Sequence, residues 1–452
     1  MPEDLRAWLS KVEQAEGLKR LDGADWDLEM GCLTALNWAK NGPALLFDKI
    51  NGYQAGFRVL TCSLQTMERI ALTLGLPPGH TQREYLPLMR ESLARWEQNL
   101  GKYAPRVVKK GPVMENVMAG EEIDLFKFPV PKWHEKDGGR YLGTGDAVIT
   151  RDPDNGEINI GTYRVMVHDK RTVGLYINPG NHGRRHMEKY HSRGQPCPVA
   201  ISVGHHPLLF AVACRKFPPG TEYQYIGAIR GEPVEVIEEE VTGLPIPTDS
   251  EIVVVGWVGP GQTRKEGPFG EYTGYYGDAR QSPLVQVERV YFRNNPIILG
   301  SPPGRDPADT SLYSSLLGSV LYENRLKRSG LQGIKAVYTH RISGNFFLAV
   351  SVTQQYAGHA RQVGLQLAAE GVGGRYVIVV DDDIDVTNIQ DILWALSTRS
   401  NPERSIDIVR HLPSTPLDPA LRKPAEAFFT SKAIIDACRP YEWRKDFAEV
   451  IE

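Results

Sequence analysis

Three residues stand out for acid/base chemistry. Glu266 and Glu271 sit in KEGPFGEYTGYY (265–276), separated by Gly267, Pro268 and Gly270, which make the segment an irregular loop and not a helix. Arg164 closes NIGTYR (159–164), where an amide and a flexible glycine precede it. Two carboxylates held near an arginine form an acid/base unit: the cation lowers the pKa of one, and desolvation by Phe269, Tyr272, Tyr275 and Tyr276 raises the other. The alternative is a solvated loop with surface glutamates. Aromatic density and the shortage of other charges favour a site.

Other signals are weaker. GTGDAV (143–148) lacks the third glycine of a dinucleotide fingerprint, GVGGRY (371–376) precedes a strand, and no Walker A string exists. The acidic run Asp381, Asp382, Asp383 and Asp385 lacks the glycine and terminal glutamate of a calcium loop. His182, His186, His191, His205 and His206 are zinc material by type. They form no HExxH pairing, and GRR and SRGQP between them point to loop, so most of the cluster is incidental.

The elements that must position these residues fall into three parts. The 452 residues give a prior of about three domains, and 41% hydrophobic with 24% charged content excludes disorder and coiled coil. Lys and Arg number 52 against 55 Asp and Glu, a net charge of −3 that offers nucleic acid no basic field. No apolar run spans a bilayer, and the opening MPEDLRAWLSKVEQ is acidic where a signal peptide is basic, so no membrane partner is expected. Five cysteines without CxxC spacing favour a reducing cytoplasm.

Asp4 is placed to cap a first helix whose face carries Leu5, Trp8, Leu9, Val12 and Leu18. From about 113 to 300 short β-rich runs alternate with turns, the spacing of a barrel or sandwich. A helix through LYSSLLGSVLYENRL, strands at 348–352 and 376–380 around a helix at about 359–369, and a terminal helix over 425–438 complete the reading. The expected fold is an α/β domain over 1–111, a β-rich domain over 112–305 and an α/β domain over 306–452.

The strings NIGTYR (159–164), NPGNHG (178–183), EGPFGEYTGYY (266–276), QQYAGHARQV (354–363) and YVIVVDDDIDV (376–386), in this order, resemble the UbiD / ferulic acid decarboxylase family of prenylated-FMN-dependent decarboxylases. The resemblance runs from LRAWL to SKAIIDA. It implies a central flavin-binding split β-barrel between an N-terminal α/β domain and a C-terminal α/β oligomerisation domain, assembled as a homodimer or homohexamer. It implies reversible, non-oxidative decarboxylation of an aromatic, heteroaromatic or α,β-unsaturated carboxylic acid through a covalent prenylated-FMN adduct, with release of CO2. Loss of CO2 from an sp² carbon needs an electron sink that side chains lack, so the cofactor supplies it.

Carried over by position, Arg164 is the family arginine, Glu266 its ion-pair partner and Glu271 the proton donor. Glu271 stands where the ubiquinone branch has aspartate, whereas QYAGHA also occurs in that branch, so the subfamily stays open. The resemblance further implies Mn²⁺ or Mg²⁺ on Asn159, His182 and Glu222, a K⁺ ion, and cofactor contacts from Asn159, Ile160, Gly161, Thr162, Tyr163, Arg164, Asn181, His182 and Glu222. A separate flavin prenyltransferase would supply the cofactor. Substrate residues are sought in GRDPADTSLYSSL (304–316), at Arg305, Thr310, Ser311, Tyr313 and Ser314; capping of a helix beginning near Asp309 is the competing role. A non-catalytic flavin-binding subunit of a multi-component (de)carboxylase and a metal-dependent hydrolase are the rival readings.

Overall fold

The computed structural model describes residues 3–305, 309–341, 346–371, 373–421 and 428–447. The chain forms two compact units. One comprises the residues up to Pro78 with Leu93–Thr310, the other Gly79–Ser92 with the residues from Ser311 onward.

In the first unit the helix Leu5–Gln14 starts where expected, because the Asp4 carboxylate accepts the Ala7 N–H at 2.8 Å. It buries Leu5, Trp8, Leu9 and Val12. Leu18, expected on the same face, instead opens the strand Leu18–Asp22, because the chain turns through Glu16 at φ +56°. That strand belongs to a four-stranded sheet with Ala44–Asp48, Arg58–Thr61 and Ile297–Leu299.

The larger sheet of this unit has nine strands, all paired antiparallel, and curls into a half-barrel. Its spine is a long hairpin, Ile252–Glu266 against Arg280–Phe292. The register shifts at Val255/Gly256, where a Cβ on Gly256 would stand 2.0 Å from the Gln286 carbonyl oxygen; only glycine fits this bulge. Buried Val254, Val258, Val285, Val287 and Val290 pack in the core of the curl, at even spacing along each arm except across the bulge between Val287 and Val290.

The segment with GRR, expected as loop, is the helix His182–Ser192. An i,i+4 bond from Arg184 to Glu188 at 2.8 Å supports its outer face, and His186 and Met187 pack inward. His186 bonds Thr150 Oγ1 at 3.0 Å, His191 the Val258 carbonyl at 3.0 Å, and His205 the Ser202 hydroxyl at 3.0 Å. Among the described residues no three His, Cys, Asp or Glu side chains form a metal cluster. His186, His191 and His205 are used by the fold.

The second unit holds a five-stranded sheet in the order Ile334–Thr339, Phe347–Val352, Tyr376–Asp381, Phe429–Asp436, Ile406–Pro413. The terminal helix expected over 425–438 is a strand from Phe429 onward; residues 425–427 lie outside the described residues. It is paired on both edges over Ala433–Ile435 and buried from Lys432 to Ile435, and an apolar stretch this short does not let periodicity separate a strand from a buried helix. The acidic run is occupied by basic partners and a turn: Arg399 donates to Asp383 at 2.9 and 2.7 Å, the Arg439 N–H donates to Asp381 at 2.7 Å, and Asp385 accepts the Thr387 N–H at 2.9 Å. No helix among the described residues is long and apolar enough to cross a membrane.

Lys432, on the same strand, is 1% exposed, and its ammonium donates to the carbonyls of Ala368, Gly371 and Gly373 at 2.9, 2.7 and 2.7 Å. Lys432→Met leaves three carbonyls without their donor. The expected outcome is a loss on the order of 3 kcal/mol, read as a fall in the thermal unfolding midpoint.

Candidate active site

Arg164 begins the strand Arg164–Val167, Glu266 ends one arm of the long hairpin, and Glu271 lies in the turn that joins its arms. The curl of the sheet brings all three together. Arg164 Nη2 donates to Glu266 Oε2 at 2.7 Å and Nη1 to Glu271 Oε1 at 2.5 Å. Tyr141, which nothing in its segment singles out, donates its hydroxyl to the other oxygen of Glu266 at 2.8 Å. The aromatic rings of Tyr176 and Phe269 lie 4.5 and 5.0 Å from the guanidinium carbon.

The electrostatics follow from counting charge in a dry site. Arg164 and Glu266 already form a neutral pair, so an ionised Glu271 adds an uncompensated buried charge. Burial pushes the Glu271 carboxyl up, Arg164 opposes this, Glu266 adds to it, and the result is about 7. Burial also works against the Arg164 charge, but Glu271 and Glu266 outweigh it and raise its pKa above the usual value.

The turn that carries Glu271 is held by backbone. The peptide Gly267–Pro268 is cis, and the Gly138 N–H donates to the Pro268 carbonyl at 2.8 Å. Asp137 accepts the Gly270 N–H at 3.0 Å with one oxygen and the His134 N–H at 3.0 Å with the other. A Cβ on Gly138 would stand 2.1 Å from the Gly267 carbonyl oxygen, so the two chains meet as bare backbone. The Glu271 N–H donates to Tyr275 O at 2.9 Å and closes the turn.

A cavity of about 120 Å³ gathers Asn159 through Tyr163, Asn181, His182 and Glu222, together with Arg215 and Lys216. The helices His182–Ser192 and Glu222–Arg230 both begin at this cavity, so two sets of free N–H groups favour an anion there. Lys216 adds a cation that the sequence reading missed, because nothing in KFPPGTE marks it. Burial, Arg185 and Lys216 hold the His182 pKa below its ordinary value, which keeps its imidazole neutral and able to ligate. Glu222 is 3% exposed, makes no ion pair among the described residues, and is pushed up by burial to about 7. An amide oxygen, an imidazole and a buried carboxylate are a donor set that would suit a hard divalent cation.

A second cavity, of about 300 Å³, lies on Glu271 and is lined also by Trp38, His134, Tyr275, Tyr276 and Arg305. Thr310, Ser311, Tyr313 and Ser314 are not among its lining residues; the last three lie in the first turn of the helix Ser311–Arg328 in the second unit. Asp309 is fully buried, and instead of capping that helix it accepts the N–H groups of Ser63 and Leu64 at 3.1 and 2.6 Å.

Three family models match in chain order: the 3-octaprenyl-4-hydroxybenzoate carboxy-lyase N-terminal domain over 9–89, its Rift-related domain over 106–306 and its C-terminal domain over 315–437. The chain belongs to the UbiD family. It is an enzyme of the carboxy-lyase class. Among its UbiD-family relatives, a phenolic acid decarboxylase of Streptomyces sp. (strain D7) is 32% identical over 97% of this chain and 92% of its own length. A pyrrole-2-carboxylic acid decarboxylase of Pseudomonas aeruginosa is 33% identical over 84% of this chain and 79% of its own. The UbiD-class enzyme HmfF from Pelotomaculum thermopropionicum, in complex with FMN, superposes with TM-score 0.88 at 27% identity over 99% of this chain and 97% of that one. An evolved dimeric form of HmfF in complex with prFMN gives TM-score 0.84 at 26% identity, over 100% of this chain and 97% of that one.

Arg164→Met removes the cation that holds the Glu271 pKa down. The midpoint of its carboxyl titration, followed by infrared difference spectra, is expected to move above about 7. An unchanged or lower midpoint would contradict the charge balance described above.

Proposed function

We propose that this chain decarboxylates an aromatic or heteroaromatic carboxylic acid, or an α,β-unsaturated one, with Glu271 as proton donor and prenylated FMN as cofactor. The observation that carries the reading is the buried Arg164–Glu266–Glu271 set, in which one carboxyl is kept protonated near neutral pH while the other stays paired. The names of the phenolic and pyrrole-2-carboxylic acid decarboxylases and the flavin complexes of HmfF support it.

The prenylated flavin, when bound, supplies the electron sink for loss of CO2. Asn159, His182 and Glu222 would hold Mn²⁺ or Mg²⁺ against its phosphate, with Lys216 and the two helix N-termini facing the same group. The protein's own task is the proton. Glu271 delivers it to the carbon that lost CO2, and Arg164 keeps the emptied carboxylate paired until a proton returns. The aromatic lining and Arg305 of the larger cavity suit a planar acid with a second polar substituent. The three family spans support a three-domain reading of the chain, with the C-terminal domain used for assembly into a homo-oligomer and the cofactor delivered by a flavin prenyltransferase.

Glu271→Gln keeps the shape and removes the proton. The variant should retain its flavin spectrum and lose CO2 release by about a hundredfold or more; a wild-type rate would sink the donor assignment. Because the donor must be protonated, kcat of the wild type should fall as pH rises through about 7. Glu222→Gln should lower retention of Mn²⁺ and of FMN together, measured by metal analysis and flavin absorbance after gel filtration.

A further inference from the structure

The Arg164 guanidinium is anchored less completely than its two ion pairs suggest. Nη1 and Nη2 each meet a carboxylate, but Nε is buried with no acceptor among the described residues. Both partners are long glutamates that can turn with the fork, so the ion pairs set its direction and leave its plane to other contacts. Those contacts are the rings of Phe269, on the turn, and Tyr176, on the neighbouring strand. Tyr176 and Arg164 stand directly opposite each other in the antiparallel register of Thr172–Tyr176 and Arg164–Val167.

Tyr176 has a second set of contacts. Its hydroxyl donates to Asn178 Oδ1 at 2.7 Å, and the Asn178 carbonyl accepts the Asn181 N–H at 3.3 Å. Asn181 and His182 follow directly and line the smaller cavity. Arg280 donates to the same hydroxyl and lies 4.5 Å from the ring centroid. It pairs in register with Glu266 across the long hairpin.

We propose that Tyr176 is a positioning residue, whose ring fixes the plane of the Arg164 guanidinium and whose hydroxyl ties that clamp to the loop bearing Asn181 and His182. The proton-donor set and the smaller cavity are then held in one registration. The clamp matters most once Glu271 carries a proton: the Nη1 bond loses its ionic partner, and the Glu266 pair alone would let the guanidinium swing. The charged groups facing Glu271 are Arg164 from its strand, Glu266 from one hairpin arm and Arg280 from the other, with Arg305 on the cavity side. The inference rests on the donor role assigned to Glu271.

The test compares Tyr176→Phe, which keeps the ring, with Tyr176→Leu, which does not, in the full chain at matched flavin content. Tyr176→Leu should move the Glu271 titration midpoint upward in infrared difference spectra, with Glu271→Gln as the blank. It should also lower kcat tenfold or more on pyrrole-2-carboxylic acid or 4-hydroxybenzoic acid with little change in KM. Tyr176→Phe should restore both quantities to within about threefold of wild type, yet raise the dissociation constant for FMN threefold or more because the tie to Asn178 is cut. A folded Tyr176→Leu with a wild-type midpoint overturns the clamp, as does a Phe variant as impaired as Leu. An unchanged FMN affinity in Tyr176→Phe overturns the tie. A fully active Glu271→Gln would instead remove the donor role alone, so the two failures are told apart.

Discussion

The site depends on one cation shared by two carboxyls. A single guanidinium neutralises a single buried carboxylate, and the second carboxyl is left to solve its own charge problem by keeping a proton. Everything around Arg164 serves that inequality. Among the described residues Tyr141 donates to Glu266 and not to Glu271, so the two carboxyls differ in their hydrogen-bond partners. Two groups of the same chemical type thus sit in different environments a few residues apart.

The geometry for this comes from a sheet that curls and a hairpin that bends. Glu266 and Arg164 are about a hundred residues apart in the chain, and only the antiparallel closure of the larger sheet puts them on one spot. The Gly256 bulge contributes where the long arm changes register, since a straight ladder would place the hairpin end elsewhere. The smaller cavity draws on the same sheet through Asn159 and on two helix starts that follow it. The residues that line both places therefore belong to one scaffold, the first unit.

Much of this was legible in the chain. Residue types around Arg164, Glu266 and Glu271 left a site and a solvated loop both open, because an arginine and glutamates also serve structural ion pairs; the order of five strings was what pointed to the family. The strand runs were legible from their β-rich composition and the turn signals between them, and the first helix from Asp4 and its apolar face. Local pattern failed where context overrode it. Arg184–Glu188 support and a buried Met187 made a helix from what looked like loop, and sheet pairing on both edges made a strand of Phe429–Asp436. Tyr176 and Tyr141 were invisible for a different reason: within a strand, a tyrosine whose hydroxyl works at a site looks the same as one that fills a core.

The grip of residues 134–138 on the Glu271 turn is written in main-chain atoms, one aspartate and the Tyr276 hydroxyl, which accepts the Lys136 N–H at 3.2 Å. Amide-to-carbonyl contacts are blind to side-chain identity, so an exposed position of the turn such as Tyr275, which meets Glu271 through its carbonyl, can change without dragging the donor out of place. The arrangement separates what a lineage must keep from what it can vary. Gly138, Gly267 and Asp137 act as fixed hardware, while the tip and the cavity rim are the surface on which new substrates can be tried.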